Sequence, residues 1–577
     1  MRTIRIWAPV AHMVEIIING EELQMRPDNY GFWQLDVAIG DDSPLYSCKI
    51  DGKGPFPPPV SHFLPEGVHG RSQLWQDSFI WTDKDWKAPS LENAVIYELH
   101  TGTFTPEGTF AAIHQRLDHL VDLGVTHVQL MPVAAFPGKH GWGYDGVGLY
   151  SPHCHYGNPI ELKRLVEACH ARGLAIILDV VYNHLGPDGN YLGHFGPYFS
   201  GRYHTPWGEA VNFDSAFCDQ VRRFIIENAL MWLRDFHFDG LRLDAVNQIY
   251  DFSVTHILEE LQAQVNKLTL ETGKDFILIA ESDQNDPRLV KPFKSGGYGL
   301  SAQYLDDFHH ALHVMLTGEK HGYYQDFCGA ADLQKCLKKG FVYDGQYSRF
   351  RKRNHGRVAE KIPLWRYVVF AQNHDQVGNR AFGERLCHII PCEYCQIAAA
   401  LLFMSPFVPL IFQGEEWASS SPFLYFTDHT DSKLANAVRR GRIREFPEYR
   451  DFKAKIPDPQ SQQTFLKSVL AWEEIHNAPH DEMFAWYRRL ISLRKEFIAD
   501  IRAKKRRFMI VDKDLKLYIY NFGRLQMFIN GGPGPGRFKI ANLSKLKLLL
   551  QNRSFEKTAN TLCLPAGAVV LFQNSCR

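Results

Sequence analysis

The chain has 577 residues, enough for several domains, and its 45% hydrophobic and 22% charged residues are ordinary for a globular protein. Lys plus Arg and Asp plus Glu both number 64, so no net charge is available to hold a nucleic acid by bulk electrostatics. No apolar run is long enough to span a membrane, and the amino-terminal Met1-Arg2-Thr3-Ile4-Arg5-Ile6-Trp7 lacks the apolar core of a signal peptide. Together with 11 scattered cysteines, this implies free thiols and a cytoplasmic location. Cys392 and Cys395 form a single CxxC without a second pair, which argues against zinc and leaves a redox pair or two thiols packed on a helix.

Residues 1–88 are expected to form an immunoglobulin-like β-sandwich. Thr3–Trp7, Val14–Ile18, Phe32–Val37 and Leu45–Ile50 are short β-rich runs, separated at Gly20, Pro27–Gly31 and Gly40–Asp42. The proline-rich Gly54–Pro65 is a linker or a loop docked on the next domain. From about residue 93 strands and helices alternate. Strands are expected at Val95–Leu99, His127–Met131, Leu174–Val181, Gly240–Asp244, Phe276–Ala280, Ala302–Leu305, Val368–Gln372 and Leu410–Phe412. Between them, Ile113, Leu117, Leu120 and Val121 recur at helical spacing, as do Leu162, Leu165, Val166 and Cys169 before Gly173. Phe224–Phe236 and Glu482–Arg494 are further helices. Eight such units make a TIM (β/α)8 barrel over residues 89–500. An open doubly wound sheet is the alternative; it would want a Gly-rich phosphate turn after the first strand, and Glu98–Gly102 offers none. Residues 501–577 return to short strands at Arg507–Val511, Lys516–Tyr520, Leu525–Ile529, Leu546–Leu550 and Ala568–Phe572, a C-terminal antiparallel β-domain.

The informative stretch is Gly240-Leu241-Arg242-Leu243-Asp244-Ala245-Val246. Side chains alternate faces along a strand, so Leu241 and Leu243 pack one way while Arg242 and Asp244 share the other face. Charges on an inner face need partners. They either bridge each other and fix the strand, or they serve a ligand. Three further stretches end apolar runs in polar residues: Asp179–His184, Ala280-Glu281 and Gln372-Asn373-His374-Asp375. In a barrel these groups converge at the C-terminal mouth. Such a set can cleave an acetal, which needs a proton donor on the leaving oxygen and a carboxylate at the sugar carbon. A metal centre is the competing use of these acids, but Arg242 two residues from Asp244 is a poor neighbour for a metal ion. No His/Cys/carboxylate set of ligand spacing is evident, so neither metal nor cofactor is expected.

With the order Asp179–His184, Gly240–Val246, Ala280-Glu281 and Asn373-His374-Asp375, the chain resembles the α-amylase family of glycoside hydrolases, family 13. Trp7-Ala8-Pro9 and Gly31-Phe32-Trp33 are similar to the amino-terminal sandwich of its multidomain members. The resemblance implies Asp244 as nucleophile, Glu281 as general acid and base, and Asp375 as a clamp on sugar hydroxyls. Arg242 would keep Asp244 ionised, and burial beside other acids would keep Glu281 protonated. His184 and His374 would donate to hydroxyls of the sugar being cut, and Tyr144 in Gly141-Trp142-Gly143-Tyr144-Asp145 would stack on it, unless it merely packs its loop.

Within that family, Tyr97–Gly108, Gln372–Arg380, Pro65–Gly70, Thr205–Gly208 and Pro422–His429 resemble the maltooligosyltrehalose trehalohydrolases. That likeness implies release of trehalose by cleavage of the α-1,4 bond beside a terminal trehalose unit, with maltooligosyltrehalose and related α-glucans as partners. Branching and debranching enzymes of the same family, and a non-catalytic glucan-binding protein, are the alternatives. Trehalose recognition falls by resemblance to Trp207, Tyr323, Phe350 and Arg351. Against this, Trp207 and Phe350 could be loop anchors and Arg351 part of the solvated basic run Arg349–Arg353. Glu415-Glu416-Trp417 is a second candidate wall. Oligomeric state is left open.

Overall fold

Eight parallel strands close into a barrel in the computed structural model, which describes residues 2–37, 43–446, 456–540 and 543–574. In chain order they are Ile96–Leu99, His127–Leu130, Ala175–Val180, Gly240–Leu243, Ile277–Ala280, Ala302–Tyr304, Tyr367–Phe370 and Val408–Phe412. The last pairs back onto the first, Leu410 opposite Ile96, so the open sheet is excluded. The turn expected at Gly40–Asp42 lies outside the described residues.

Strand periodicity sorts the barrel's contents. Ile96, Ile177, Ile277, Ile279, Ala302, Tyr304, Val368, Phe370, Val408 and Leu410 form one buried cluster that fills the barrel. Residues of the other parity, such as Val95, Tyr97, Leu99, Leu241 and Leu243, pack outward under the helices. Toward the C-terminal end the inward column turns polar, with Glu98, Gln129, Asp179 and Arg242 all fully buried. Register places Asp179 opposite Arg242 and Gln129 opposite Glu98. The charged layer is therefore a continuation of the apolar one, one residue pair higher.

The helices form where the sequence caps them. Pro159–Ala171 starts with a reciprocal capping box between Asn158 and Glu161 and a proline in its first turn. Such a cap contributes about 1 kcal/mol. The apolar series Ile113–Val121 is divided into two helices, Phe110–His114 and Leu117–Leu123. Val121 belongs to neither buried face; it is exposed. The long helix after strand eight runs His480–Glu496, and its buried Arg494 donates to the carbonyls of Phe403, Ser405 and Phe407, closing the barrel's outer layer. Among the described residues no helix is long and apolar enough to cross a membrane.

Two antiparallel sheets precede the barrel. Arg2–Trp7 pairs with Phe32–Val37, and Val14–Ile18 pairs with Leu45–Ile50. Ile4, Ile6, Val14, Ile16 and Ile18 alternate inward, as their spacing requires. The proline-rich segment docks on the barrel: Phe56 packs on Tyr191 and His194, and Leu64 and Val68 join Ala135. After the barrel, a five-stranded antiparallel sheet contains all five expected strands. A second sheet of Gly536–Lys539, Glu556–Lys557 and Thr561–Leu564 covers it, with Phe538, Leu562 and Leu564 against Phe528 and Phe572. Its strands are too short to carry a periodic signal.

Candidate active site

Arg242 is the hub. Its Nη1 lies 2.9 and 2.8 Å from the two oxygens of Asp179 and 2.7 Å from Asp244 Oδ1, and its Nη2 is 3.6 Å from Glu281 Oε2. Asn183 Nδ2 holds the other oxygen of Asp244 at 2.9 Å and its carbonyl at 2.8 Å. Both oxygens of Asp244 are thus fixed by donors. Strand four then turns sharply at Ala245, with φ 37° and ψ 51°, a left-handed conformation strained for a residue with a Cβ. The turn points the Ala245 N–H at Glu281 Oε2, 2.6 Å away.

His374 begins a short helix after strand seven, capped by Asn373. Its Nδ1 meets Glu98 Oε1 at 2.9 Å, and its Nε2 meets the Tyr144 hydroxyl at 2.7 Å and Asp375 Oδ2 at 3.4 Å. Tyr144 in turn donates to Asp179 Oδ2 at 2.8 Å and stacks on His374. His184 has both ring nitrogens engaged, Nδ1 by Asn183 Oδ1 and Nε2 by the Tyr144 carbonyl at 3.1 Å. What it presents is its ring face, on which Trp207 stacks with centroids 4.2 Å apart.

The acids outnumber the cations, and burial magnifies the imbalance. Desolvation, together with the charges of Asp244, Asp306 and Asp375, pushes the Glu281 carboxyl well above its usual range despite Arg242. Asp306 is pushed up to about 8 by burial and by Asp283, Asp375 and Asp307. Burial raises Asp179 to about 7 against the pull of Arg242. His374 goes the other way from most buried imidazoles: desolvation would lower it, but Asp375 and Glu98 outweigh burial and hold it up to about 9.

The four residues nominated for trehalose fall into two groups. Trp207, half exposed at the tip of a hairpin, stands over His184. Tyr323, Phe350 and Arg351 form the other group: the Tyr323 and Phe350 rings meet edge to face at 6.3 Å, and Arg351 Nη2 donates to Asp283 Oδ2 at 2.7 Å. Arg351 is not part of the solvated run; its side chain is 13% exposed, while Arg349, Lys352 and Arg353 are exposed residues. Glu415-Glu416-Trp417 is not a wall. Gly414, at φ 78°, turns the chain outward. There Glu415 accepts from Tyr487 and Glu416 from Tyr97, and the Trp417 ring is fully buried against Trp472.

Three members escaped the sequence reading. Glu98 anchors His374 from inside strand one. Asp306, after strand six, adds a further acid beside Glu281. Asp326 shapes the Phe350 loop by accepting from the Ser348 hydroxyl at 2.6 Å and from the backbone N–H groups of Arg349 and Phe350 at 2.9 and 3.2 Å. One set of potential metal donors also exists among the described residues, contrary to the expectation from spacing. Ligating atoms of His153, Cys154 and His155 lie within 4.8 Å of one another, beyond the hairpin that carries Tyr144.

Comparison with known proteins gives a consistent neighbourhood. Residues 73–195 match the family model for the alpha amylase catalytic domain. A malto-oligosyltrehalose trehalohydrolase of Arthrobacter ramosus is 46% identical over 540 residues, covering 92% of this chain and 93% of the relative. A Salmonella typhimurium crystal structure, described as a candidate alpha amylase, superposes with a TM-score of 0.90 at 36% identity, covering 99% and 97% of the two chains. A 1,4-alpha-glucan branching enzyme of Mycolicibacterium paratuberculosis is 30% identical over only 52% of this chain and 46% of its own length.

The raised pKa of His374 has a consequence for stability. A group raised on folding stabilises most below its unfolded value, near 6.5, and the contribution is lost as pH rises through about 9. Denaturant unfolding of the wild type and His374→Gln at about pH 6 and about pH 9.5 should show their stability gap shrinking by on the order of 2–3 kcal/mol. Glu98→Gln should move the wild-type loss to lower pH. A gap independent of pH would mean that the imidazole is neutral between Glu98 and Asp375.

Proposed function

The chain belongs to the malto-oligosyltrehalose trehalohydrolases, and from that premise we propose that it hydrolyses the α-1,4-glucosidic bond beside the terminal trehalose of maltooligosyltrehalose and releases trehalose. The observation that carries this is the likeness to a trehalohydrolase over more than nine-tenths of both chains, flanking sheets included. The likeness to a branching enzyme stops at about half of each. The same experiment separates the readings: maltooligosyltrehalose and amylose are incubated with the enzyme and the products resolved by chromatography. Trehalose from the first is expected; new branch points in the second would favour the branching reading.

In the mechanism we infer, Glu281 delivers its proton from Oε1 to the glycosidic oxygen while Asp244 attacks the anomeric carbon, giving a glycosyl ester and a free trehalose unit. Water then opens the ester as Glu281 takes its proton back, with net retention. The environments support this division. Asp244 accepts hydrogen bonds from Arg242 and Asn183, which hold both its oxygens in place for attack. Glu281 is surrounded by acids and desolvated, which keeps its proton. Asp375, 40% exposed and anchored through the His374 imidazolium, is free to bind sugar hydroxyls. We assign Tyr144, His184, Arg242 and His374 to the sugar being cut. Trp207, Tyr323, Phe350 and Arg351 are assigned to the trehalose-containing leaving group. No step calls for a metal. All ten cysteines among the described residues are free thiols, which supports a reducing, cytoplasmic compartment.

Three tests follow from these assignments. Asp244→Asn should keep the fold and lose turnover by orders of magnitude, and the wild-type product should retain its anomeric configuration by NMR. Near-normal hydrolysis by the variant, or inverted product, contradicts the nucleophile. Asp306→Asn removes the negative charge that Asp306 gains as pH rises through about 8, a charge that raises Glu281 in the alkaline range. The acid should then ionise earlier, and the alkaline limb of the kcat/KM profile should move to lower pH. A limb that stays in place means Glu281 does not set it. Trp207→Ala should lower kcat/KM by roughly 1–3 kcal/mol of transition-state binding on maltooligosyltrehalose and by less on maltopentaose. Equal losses on both substrates would make Trp207 an anchor for His184.

A further inference from the structure

The loop after strand two leaves the barrel, forms a small hairpin of Ala134–Ala135 with Gly148–Pro152, and returns through His153-Cys154-His155-Tyr156. Trp142 and Tyr144 sit between the two hairpin strands. The loop's base is tied where it closes: His153 N–H donates to the Val133 carbonyl at 2.8 Å and Tyr156 N–H to the His153 carbonyl at 2.9 Å. This turn gathers three donors of soft and borderline type. Cys154 Sγ is 3.5 Å from His155 Nδ1, and the two histidine rings lie 5.3 Å apart and nearly parallel. Ligating atoms of all three fall within 4.8 Å of one another. The mechanism uses none of them.

Zinc bonds thiolate at about 2.3 Å and imidazole at about 2.0 Å, so a sulfur–nitrogen edge of its tetrahedron is about 3.6 Å. The Cys154–His155 spacing already has that length. The remaining donor pairs, within 4.8 Å of one another, need to close by up to about 1.5 Å to reach tetrahedral edges. His140 lies on the same loop, between the two hairpin strands. Its Nε2 is buried without a hydrogen-bond partner, and its Nδ1 is 3.7 Å from Asp428. Asp428 itself accepts from the Lys139 N–H at 2.7 Å.

We propose that His153, Cys154 and His155 form a binding site for a single Zn2+ ion, which closes the base of the loop carrying Tyr144. On binding, the Cys154 S–H bond breaks, its proton passes to solvent, and the sulfur lone pair forms the metal bond. The site is structural: it lies in the turn that follows the hairpin's return strand, and the ion would fasten this turn rather than meet substrate.

Cobalt(II) is the probe, because it replaces zinc in such sites and its absorption shows thiolate ligation. Titrating metal-free full-length enzyme with Co2+ should give one equivalent with a sulfur-to-cobalt charge-transfer band, displaced by Zn2+. Cys154→Ala should abolish the band, and His155→Ala should weaken cobalt binding at least tenfold. Both positions are outside the core, so these variants should fold and hydrolyse substrate as the wild type does. Zn2+ should raise the thermal midpoint of the wild type and not of Cys154→Ala. No cobalt uptake would overturn the proposal and leave the 3.5 Å contact as a thiol–imidazole hydrogen bond. A charge-transfer band that persists in Cys154→Ala would overturn it too, by placing the metal on another of the free cysteines.

Discussion

A guanidinium with no solvent exposure has to be surrounded by acids, and Arg242 organises the mouth of this barrel on that condition. Removing such a cation from water is expensive unless its charge and donors are matched nearby. Asp179 and Asp244 match its charge and take Nη1 directly, Glu281 stands just beyond bonding distance of Nη2, and Nε is buried without a hydrogen-bond partner. The consequences spread outward in one chain. Asp179 takes the Tyr144 hydroxyl, Tyr144 takes His374, and His374 takes Glu98 on one side and Asp375 on the other. Charges alternate along this path. Each group is oriented by the next, so the geometry at Asp244 is inherited from contacts made three and four residues away in space.

The same arrangement gives two carboxyl groups opposite surroundings. Asp244 has both oxygens satisfied by donors, one of them a permanent cation. Glu281 has one oxygen on a backbone N–H and otherwise faces acids. The proposed acid and nucleophile differ in who their neighbours are. The strained turn at Ala245 belongs to this division, since the left-handed φ is what brings its N–H to Glu281. Strand four therefore contributes to both carboxylates, directly at Asp244 and through its turn at Glu281.

Much of this was legible in the sequence, for a physical reason. A polar residue at the end of a buried apolar run interrupts a strong pattern, and Asp244, Glu281 and His374-Asp375 all do so. Strand limits followed to within a residue or two, as with Gly240–Asp244 against the observed Gly240–Leu243. The residues that escaped lack such an interruption. Glu98 sits within its run, between Tyr97 and Leu99. Asp306-Asp307 reads as the ordinary acidic start of a helix, and Asp307 does bond the backbone N–H groups of Val342 and Tyr343. Conversely, Glu415-Glu416 carries the strand-end signature and yet faces outward, because Gly414 reverses the chain direction before it. His153-Cys154-His155 gives no signal in the sequence, because adjacent donors seldom converge; here a turn brings their ligating atoms within 4.8 Å.

Arg351 shows most clearly what spacing cannot supply. Five residues, Arg349 to Arg353, contain four cations, and nothing in their order says which one turns inward. The choice is made by Asp283, which follows Glu281 by two residues and accepts from Arg351 at 2.7 Å. Asp326 then fixes the neighbouring Phe350 backbone, and the Phe350 ring meets Tyr323. A loop inserted between strands six and seven is thereby tied to the end of strand five, where Glu281 stands. Trp207 rests instead on His184, beyond strand three. The two groups proposed to read trehalose are thus held by different strands, one through Asp283 and the other through His184. In that proposal their spacing is inherited from the barrel rather than from either loop alone, so a change at Asp283 or His184 should disturb recognition as much as a change in the rings themselves.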